Sequence, residues 1–363
     1  MKTELIFFLP NFNLGGAGSS ITKTCIGLSK KFKITIISLT KCYYANELKK
    51  NAIHIVKLNS HKTIFSFKEI NKIINNKIKN KNVVFISNIN YANALSCMFI
   101  KKRNNLKIFL IERTPIKELL IYKNITDFIK KKITYLLVKL FYKNVDKIIG
   151  NSLKLSKDLE KVCGKKVETI YPPSIIKIKN RKYNIRKKTI ISTITRLTFE
   201  KNILTLIKAV QFIKSDSIKL NIVGSGDQKI ELAKYIIENK LDKKIKLLGP
   251  KKNINKFLDK TDLYINSSYF EGFPNSVVEA INNNIPVIAS HSNGGIYDII
   301  KYGKKCALFN PKDYYDLAKK IDYFHNNKLE FIKMSKKNKN NSKKFTLKNS
   351  IKKYEALFIN AFK

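Results

Sequence analysis

The sequence predicts an α/β fold of two Rossmann-like, doubly wound domains. With 363 residues, the chain is too long for a single compact core and suits two domains. Short continuous apolar runs alternate with helical patterns, and strands that are apolar on both faces are typical of parallel sheets covered by helices. The alternation stops once, at residues 171–188, and then restarts. We therefore expect one parallel sheet on each side of that segment.

The first domain is predicted over residues 1–172. Its strands lie in "ELIFFLP", "KITIISL", "HIVKL", "NVVFISN" and "KIFLIE". A glycine turn, "NLGGAGSS", follows the first strand and leads to a helix predicted from Ile21 to Lys31.

A long amphipathic helix is predicted in "TDFIKKKITYLLVKLFYK", ahead of a further strand. Its apolar positions share one side of the helix and its lysines lie elsewhere; the apolar positions are Ile129, Ile133, Leu136, Leu137 and Leu140. We expect that apolar side to pack on the sheet, and the alternative is docking on a membrane.

Residues 173–188 are predicted to be a linker because prolines and a basic polar run interrupt the periodicity. The second domain is predicted over residues 189–345, with strands in "TIISTITRL", "IKLNIVGSGD", "IKLLGP", "TDLYINSS", "IPVIAS" and "CALFN". The tract around 335–345, rich in lysine and asparagine, is expected to be a solvated helix or loop. A last helix over 346–363 is a candidate to pack back on the first domain.

The chain is strongly basic, with 72 Lys and Arg against 26 Asp and Glu. Nucleic acid or an anionic membrane would explain such a charge. However, the basic excess is +23 in residues 1–170 and again +23 in residues 171–363, so neither half is a specialised patch. Only five of the 72 are arginine and Trp is absent, as an AT-rich genome would produce. We predict no nucleic-acid binding and keep peripheral contact with an anionic membrane as an alternative.

The cysteines and histidines do not form a metal-ligand pattern. The five cysteines are scattered and never have C-x-x-C spacing, which favours free thiols in a reducing compartment. The first apolar run, "LIFFL", is too short for a signal peptide, and no run approaches the about 20 apolar residues that span a bilayer. We expect a cytoplasmic protein without a metal cofactor.

The glycine turn after the first strand does not have the dinucleotide-binding spacing. Gly15, Gly16 and Gly18 do not fit G-x-G-x-x-G, and the next strand offers no acidic residue for a ribose. NAD binding is therefore disfavoured. The turn either lets the backbone approach a phosphate at the following helix or serves the chain reversal alone.

Two cations follow a strand of the second domain, at the edge where open α/β sheets bind ligands. Arg196 ends "TIISTITR" and Lys201 comes five residues later. Arginine offers a fork that matches phosphate oxygens and lysine a point charge. A stray surface cation is the alternative for Arg196. Gly224, in "VGSGDQ", marks a further strand end but is a weak signal alone.

Two carboxylates flank a turn in "YFEGFPNSVVEA". Pro274 is tolerated at a helix start, so Glu271 is predicted in the loop and Glu279 about one turn into the helix. The free N–H groups of Ser276 and Val277 would favour an anion there. This arrangement suits a sugar nucleotide, with carboxylates as acceptors for hydroxyl groups. A glycosidase-type pair of carboxylates and a helix cap beside a surface glutamate are the alternatives.

Together, "TRLTFEK", "VGSGD", "LGP" and "SSYFEGFPNSVVEAINNNIPVIAS" resemble the retaining glycosyltransferases of family 4. The signature E-x7-E is met by Glu271 and Glu279. The resemblance implies a GT-B fold, in which an acceptor-side first domain and a nucleotide-sugar-binding second domain face each other across a cleft. The match is strong in the second half and looser in the first, through "NLGGAGSS", "IERTP" and "KNVDKIIGNSLKLS".

The resemblance also implies roles for individual residues. Arg196 and Lys201 would bind the donor diphosphate and stabilise the leaving group, and Glu271 would contact the transferred sugar, so these three are the catalytic candidates. Glu279 would hold the ribose. The remaining donor-binding candidates are Gly15, Gly16, Gly224, Gly249, Gly272, Phe273, Asn275, Ser276 and Val277. The family needs no metal and no enzyme nucleophile, because the leaving diphosphate helps to deprotonate the acceptor.

Two positions depart from the family pattern. Some members carry a histidine in the cleft loop of the first domain, where this chain has "IERTP". Related members that build surface polysaccharide also have Glu-Arg there, so the resemblance makes Arg113 a cleft candidate. In "GGIYD", Asp298 stands where a glutamate is usual, which favours a structural role for it.

The sequence thus predicts retaining transfer of a sugar from a UDP- or GDP-sugar donor to a glycan acceptor. A polyprenyl-diphosphate-linked glycan at the inner face of the cytoplasmic membrane, in surface polysaccharide or glycan assembly, is the expected acceptor. A sugar-nucleotide epimerase with the same fold is the enzymatic alternative, and a basic nucleic-acid-binding protein is the alternative of another class.

Overall fold

The computed structural model describes residues 3–13, 15–122, 124–251 and 254–363. The chain divides into two compact units, of which unit 1 comprises Met1–Ile176 with Phe345–Lys363 and unit 2 comprises Lys177–Lys344.

The division falls inside the predicted linker, and the residues after it lie on unit 2. Lys179 Nζ donates to Asn255 Oδ1 at 2.7 Å, and the Tyr183 hydroxyl donates to the carbonyl of Asp262 at 2.8 Å. Periodicity shows where regular elements stop, but it does not show that an irregular segment is fixed to one unit by its side chains.

Within the described residues, unit 1 contains a seven-stranded sheet with the order β3-β2-β1-β4-β5-β6-β7. All its neighbouring strands are parallel. The strands are β1 Glu4–Phe8, β2 Lys33–Ser38, β3 His54–Lys57, β4 Val83–Asn88, β5 Leu106–Glu112, β6 Lys147–Gly150 and β7 Val167–Thr169. The central strands β1 and β4 are buried along their whole length, as their apolar runs predict. Strand β7 was not predicted, because its three residues are too few to show a pattern.

Helices cover both faces of this sheet. They are α1 Gly16–Leu28, α2 Ala45–Lys50, α3 Phe67–Ile78, α4 Asn90–Phe99, α5 Ile125–Phe141 and α6 Leu153–Cys163. Helix α1 begins five residues before the predicted start at Ile21, so Gly16 and Gly18 belong to its first turns rather than to a loop.

Helix α5 has the orientation opposite to the predicted one. Ile129, Ile133 and Leu136 are at least half exposed, whereas Thr134 and Val138 are the buried residues of this helix. The expectation that the apolar side packs on the sheet is therefore wrong. The periodicity locates an apolar side on the helix, but it does not determine which side faces the core.

The C-terminal segment belongs to unit 1. Helix α15, Leu347–Ile359, buries Phe358, whose ring stacks on Phe109 at 5.7 Å between centroids and meets Phe7 and Phe32 edge-on. The Ser350 hydroxyl donates to the carbonyl of Tyr171 at 2.8 Å. This helix thus completes one face of the first sheet.

Within the described residues, unit 2 contains a six-stranded sheet with the order β10-β9-β8-β11-β13-β15 and a separate two-stranded sheet. The strands of the large sheet are β8 Thr189–Ile194, β9 Ile218–Val223, β10 Ile245–Leu247, β11 Leu263–Asn266, β13 Val287–Ser290 and β15 Leu308–Phe309. The small sheet pairs β12 Phe270–Glu271 with β14 Asn293–Gly294. The helices are α7 Ile203–Gln211, α8 Lys229–Glu238, α9 Ile254–Leu258, α10 Asn275–Asn282, α11 Ile296–Ile299, α12 Lys304–Ala307, α13 Tyr314–Asn326 and α14 Lys328–Ser342.

The tract rich in lysine and asparagine forms helix α14, which packs on unit 2 through polar side chains as well as apolar ones. Asn338 Oδ1 accepts from the amides of Lys301 and Tyr302 at 2.9 and 3.1 Å, and Asn341 Nδ2 donates to the carbonyl of Asp298. These side chains satisfy backbone groups at the end of α11, so this tract is a packed helix rather than a loop.

In the part of the chain that the structure describes, no helix is both long enough and apolar enough to span a bilayer.

Replacing Phe358 by Ala should destabilise unit 1 by about 3–5 kcal/mol, because it removes a fully buried ring from the contact between α15 and the sheet. Ile359→Ala changes a neighbour that is 51% exposed and should cost less than about 1 kcal/mol. Chemical denaturation followed by circular dichroism measures both. Equal destabilisation by the two variants would contradict the role assigned to Phe358.

Candidate functional site

Three loops meet at the carboxyl edge of the unit 2 sheet. The amide of Thr195, after β8, donates to the carbonyl of Val223, and the amide of Gly224, after β9, donates to Gly249, after β10, at 3.1 Å. Gly224 has φ +145, and an added Cβ would lie 1.7 Å from the Thr195 carbonyl oxygen. Only glycine permits this approach. The predicted residues Arg196, Gly224 and Gly249 therefore lie in adjoining loops.

Arg196 lies in the first of these loops and its side chain is 65% exposed. Its Nη2 is 3.0 Å from Glu200 Oε1. An exposed ion pair contributes little to stability, so the guanidinium can exchange this carboxylate for another anion at small cost.

Lys201 and Glu271 form an ion pair, with Nζ and Oε2 2.6 Å apart and side chains that are only 13% and 18% exposed. The Ser268 hydroxyl donates to the same Oε2 at 3.2 Å. Lys201 ends a 3-10 helix, Phe199–Lys201, that precedes α7. The sequence predicted both residues as site residues but not their direct contact.

Two hydrogen bonds to backbone carbonyls fix the segments that carry this pair to each other. The Ser267 hydroxyl donates to the carbonyl of Lys201 at 3.0 Å, and the amide of Tyr269 donates to the carbonyl of Glu200 at 2.9 Å. The ammonium and the carboxylate are thus held in place before any ligand arrives.

The small sheet holds the backbone of Glu271. Glu271 pairs with Gly294, and the amide of Gly295 donates to the carbonyl of Gly272 at 2.8 Å. Gly294 has φ +150, and an added Cβ would lie 1.9 Å from the Glu271 carbonyl oxygen. The sequence analysis did not predict this pairing of Glu271 with Gly294. The feature of the sequence that could have indicated it is the pair of glycines in "SNGGIYD". Asp298 follows in α11 and is buried.

Helix α10 begins at Asn275, directly after Pro274, as predicted. Its first turn closes when the amide of Val277 donates to the carbonyl of Pro274 at 3.1 Å. The prediction of a free N–H at Val277 is therefore wrong. Of the two N–H groups predicted to face an anion, that of Ser276 comes one residue before this bond. Glu279 follows in the second turn and is half-buried.

Gly272 and Phe273 join Glu271 to α10. The carbonyl of Gly272 is occupied by the amide of Gly295, and the Phe273 side chain is buried. These contacts hold the connecting segment, so they fix the position of Glu271 in space relative to Glu279.

Tyr264 on β11 is a site residue that sequence reasoning missed. Its hydroxyl accepts from the amide of Ile194 at 3.3 Å, donates to the carbonyl of Ile194 at 3.2 Å and bonds to the Ser276 side chain. Burial raises the pKa of Tyr264 to about 12, and the charges of Glu279 and Glu271 act in the same direction. The phenol thus stays protonated and links the end of β8 to the start of α10. The only signal was one polar ring in the apolar run "LYIN".

The other predicted residues lie on unit 1. Gly15 precedes α1 and Gly16 is its first residue. Arg113 follows β5, and its guanidinium donates to Ser20 Oγ at 3.2 Å and to Asn88 Oδ1 at 3.4 Å. Burial lowers the pKa of Arg113 from its ordinary value. Arg113 thus lies at the carboxyl edge of the first sheet, where β4 and β5 end.

Glu112, next to Arg113, is fully buried and was not predicted as a functional residue. Its carboxylate accepts from the Tyr142 hydroxyl at 2.9 Å, from Asn93 Nδ2 at 3.3 Å and from the amide of Arg113 at 3.1 Å. Burial raises the pKa of Glu112 to about 7, although these hydrogen bonds act in the opposite direction. Its charge therefore changes near neutral pH.

Among the described residues, no three His, Cys, Asp or Glu side chains are grouped closely enough to hold a metal ion. All five cysteines are free thiols. Metal-independent activity stays a prediction.

Residues 175–345 match the family described as glycosyl transferases group 1. The match covers the whole of unit 2, which is therefore similar to that family. Membership of family 4 and the role of the E-x7-E signature stay predictions.

Two relatives show how far the likeness extends. An uncharacterized glycosyltransferase of Methanocaldococcus jannaschii is 31% identical over 239 residues, which are 61% of this chain and 55% of the relative. A Campylobacter jejuni enzyme, N-acetylgalactosamine-N,N'-diacetylbacillosaminyl-diphospho-undecaprenol 4-alpha-N-acetylgalactosaminyltransferase, is 27% identical over 315 residues, which are 82% of this chain and 83% of that enzyme. The chain thus matches about half the length of the first relative and most of the second.

The crystal structure of Anabaena HepE in complex with UDP-glucose is similar over 98% of this chain and 99% of that chain, with a TM-score of 0.80 and 17% sequence identity. At this identity the likeness shows the fold. Together with the two parallel sheets, it confirms the predicted GT-B fold with two Rossmann-like domains.

Glu112 should make the stability of the protein depend on pH. The folded chain keeps the Glu112 proton up to about pH 7, whereas the unfolded chain releases it near the usual 4.5. Because the folded state binds more protons in between, its stability should fall by about 3 kcal/mol as pH rises through this window. Glu112→Gln should remove that fall, so the stability difference between wild type and variant should change by this amount between pH 4.5 and 7.5.

Urea unfolding at several pH values measures this difference. Tyr142→Phe, which removes a hydrogen bond that lowers the pKa, should extend the fall to higher pH. If the difference in unfolding free energy between wild type and Glu112→Gln did not change with pH, the raised pKa assigned to Glu112 would be contradicted.

Proposed function

We propose that this chain is a retaining glycosyltransferase of family 4 that moves a sugar from a nucleotide-diphosphate sugar to a glycan acceptor. The observation that carries the proposal is the ion pair of Lys201 and Glu271. It joins the segment after β8, which also carries Arg196, to the strand that precedes α10. The match of this unit to the glycosyl transferases group 1 supports it. The relatives reported above are transferases, which does not favour the epimerase alternative.

The donor diphosphate is assigned to Arg196 and Lys201. One N–H of the Lys201 ammonium is directed at Glu271, which leaves two of its three protons for phosphate oxygens. The exposed guanidinium of Arg196 can offer two parallel N–H groups to the same diphosphate. Both cations would stabilise the charge that develops as the diphosphate leaves, so transfer would need no metal ion.

The sugar hydroxyls are assigned to Glu271 and the ribose to Glu279. Lys201 and Ser268 both bond to Oε2 of Glu271, so Oε1 is the oxygen that we assign to a sugar hydroxyl. We assign the backbone N–H of Ser276 to a phosphate oxygen, because it comes one residue before the first hydrogen bond of α10. UDP-sugars are the first donors to test, since HepE is described in complex with UDP-glucose, and GDP-sugars are the second.

The acceptor is proposed to be a polyprenyl-diphosphate-linked glycan in surface polysaccharide or glycan assembly, at the inner face of the cytoplasmic membrane. The Campylobacter relative, which aligns with most of this chain, is named for a diphospho-undecaprenol-linked acceptor. Arg113 on unit 1 is the candidate to contact this acceptor. A mass-spectrometric screen of nucleotide sugars would identify the donor, and the anomeric configuration of the product would test retention.

Arg196→Ala and Lys201→Met should each lower turnover by about 100-fold or more, because each removes a cation that meets developing charge. Arg103→Ala changes an exposed arginine of unit 1 and should leave turnover unchanged. The measurement is release of the nucleoside diphosphate from the donor found in the screen.

The double variant Lys201→Met with Glu271→Gln separates catalysis from folding. Removing one partner of a shielded ion pair leaves an uncompensated charge, whereas this variant replaces both charges by neutral groups of similar size. It should melt close to the wild-type temperature and stay inactive. Recovery of turnover in the double variant would contradict a catalytic role for Lys201.

Glu279→Ala should weaken binding of the bare nucleoside diphosphate by about tenfold, the effect of losing one hydrogen bond to a charged group. Glu271→Ala should lower turnover more than it lowers that affinity, because its hydroxyl partner is on the sugar. Isothermal titration calorimetry with UDP and GDP measures the affinities. The reverse order of affinities would contradict the two assignments.

A further inference from the structure

Helix α5 presents a continuous apolar stripe to solvent. Its residues recur at helical spacings of four, four, three and four positions and are 47–70% exposed; they are Ile125, Ile129, Ile133, Leu136 and Leu140. Three further exposed apolar residues lie shortly before the helix in the sequence: Leu120, Ile121 and Tyr122. Exposed patches of this kind in a folded chain mark interaction sites.

The rest of unit 1 does not need this stripe for its own packing. Thr134 and Val138, on the opposite side of α5, are its buried residues, and α5 packs against α4 and α6. Helix α5 is therefore packed in unit 1 through its opposite side, and the stripe is left as solvent-exposed surface.

Lysines border the stripe. At 100° per residue, Lys132 and Lys139 lie along one edge of it and Lys130 beyond the other. The helix carries one acidic residue, Asp127, which pairs with Lys131 at 3.0 Å. The surface thus combines apolar side chains with positive charge.

We propose that the outward stripe of α5 docks unit 1 on the surface of an anionic lipid bilayer. The helix lies parallel to the membrane with its isoleucines and leucines in the interfacial region. Lys132 and Lys139 extend their apolar stems along this region and place their ammonium groups at lipid phosphates. The proposal stands on α5 alone and does not depend on glycosyl transfer.

Charge decides between a bilayer and a second copy of the chain. The net charge is +46, so two copies that met through this stripe would bring lysine borders of the same sign together. An anionic headgroup layer neutralises those lysines instead. The helix has four lysines in 17 residues, so it suits a position on the membrane rather than across it.

Vesicle sedimentation of the full chain, without any donor, tests the proposal. Wild type should bind vesicles of phosphatidylcholine with phosphatidylglycerol and should bind pure phosphatidylcholine at least about tenfold more weakly. The triple variant Ile129→Ser, Ile133→Ser, Leu136→Ser should bind the anionic vesicles at least about tenfold more weakly than wild type. Lys132→Glu with Lys139→Glu should also weaken binding and make it less sensitive to salt.

The matched control is Ile230→Ser with Ile237→Ser on α8, where the two isoleucines are 83% and 70% exposed. This variant should bind the anionic vesicles like wild type. Equal loss of binding in the control and the triple variant, or equal binding of the triple variant and wild type, would overturn the proposal. A wild-type dimer that the triple variant converts to a monomer, seen by light scattering, would also overturn it and would make the stripe a self-association surface.

Because vesicle binding is measured without nucleotide sugar, its failure leaves the proposed transfer reaction unaffected. Loss of turnover with intact vesicle binding would in turn leave the docking surface in place.

Discussion

The ion pair between Lys201 and Glu271 is the constraint on which the proposed donor site of unit 2 depends. It joins the 3-10 helix after β8 to strand β12, and both side chains are largely shielded from water. Transferring two charges out of water is costly, and a shielded ion pair is weak evidence of stabilisation. Here the hydroxyls of Ser268 and Ser267, the amide of Tyr269 and the close approach of Gly294 all hold the pair in place. So much support for an energetically expensive contact favours a role in binding charge.

The same unit uses uncharged polar side chains to complete its packing. Asn338 and Asn341 on α14 satisfy backbone groups around α11, and Asn282 on α10 donates to the carbonyl of Lys177 at 3.0 Å. This part of the chain is therefore packed on its neighbours, although it is rich in asparagine and lysine. Its amide side chains bond to backbone groups, as buried polar groups generally do.

The sequence predicted the strands well because a strand buried on both faces shows as a continuous apolar run. It also placed Arg196 and Glu271 at strand ends and the start of α10 after Pro274. It could not predict the contact of Lys201 with Glu271, since 70 positions separate the two residues and spacing carries no information across that distance. The predicted orientation of α5 was wrong, because periodicity locates an apolar side of a helix but not the direction in which it faces. The predicted free N–H of Val277 was wrong, because the hydrogen bond that closes a first helical turn depends on local geometry.

The most direct test of the account is a crystal structure of the protein with UDP or GDP. The account predicts the diphosphate within hydrogen-bond distance of Lys201 Nζ and the Arg196 guanidinium, with the ribose at Glu279. A nucleotide bound at another part of unit 2, or a diphosphate that leaves Lys201 in contact with Glu271 alone, would contradict it.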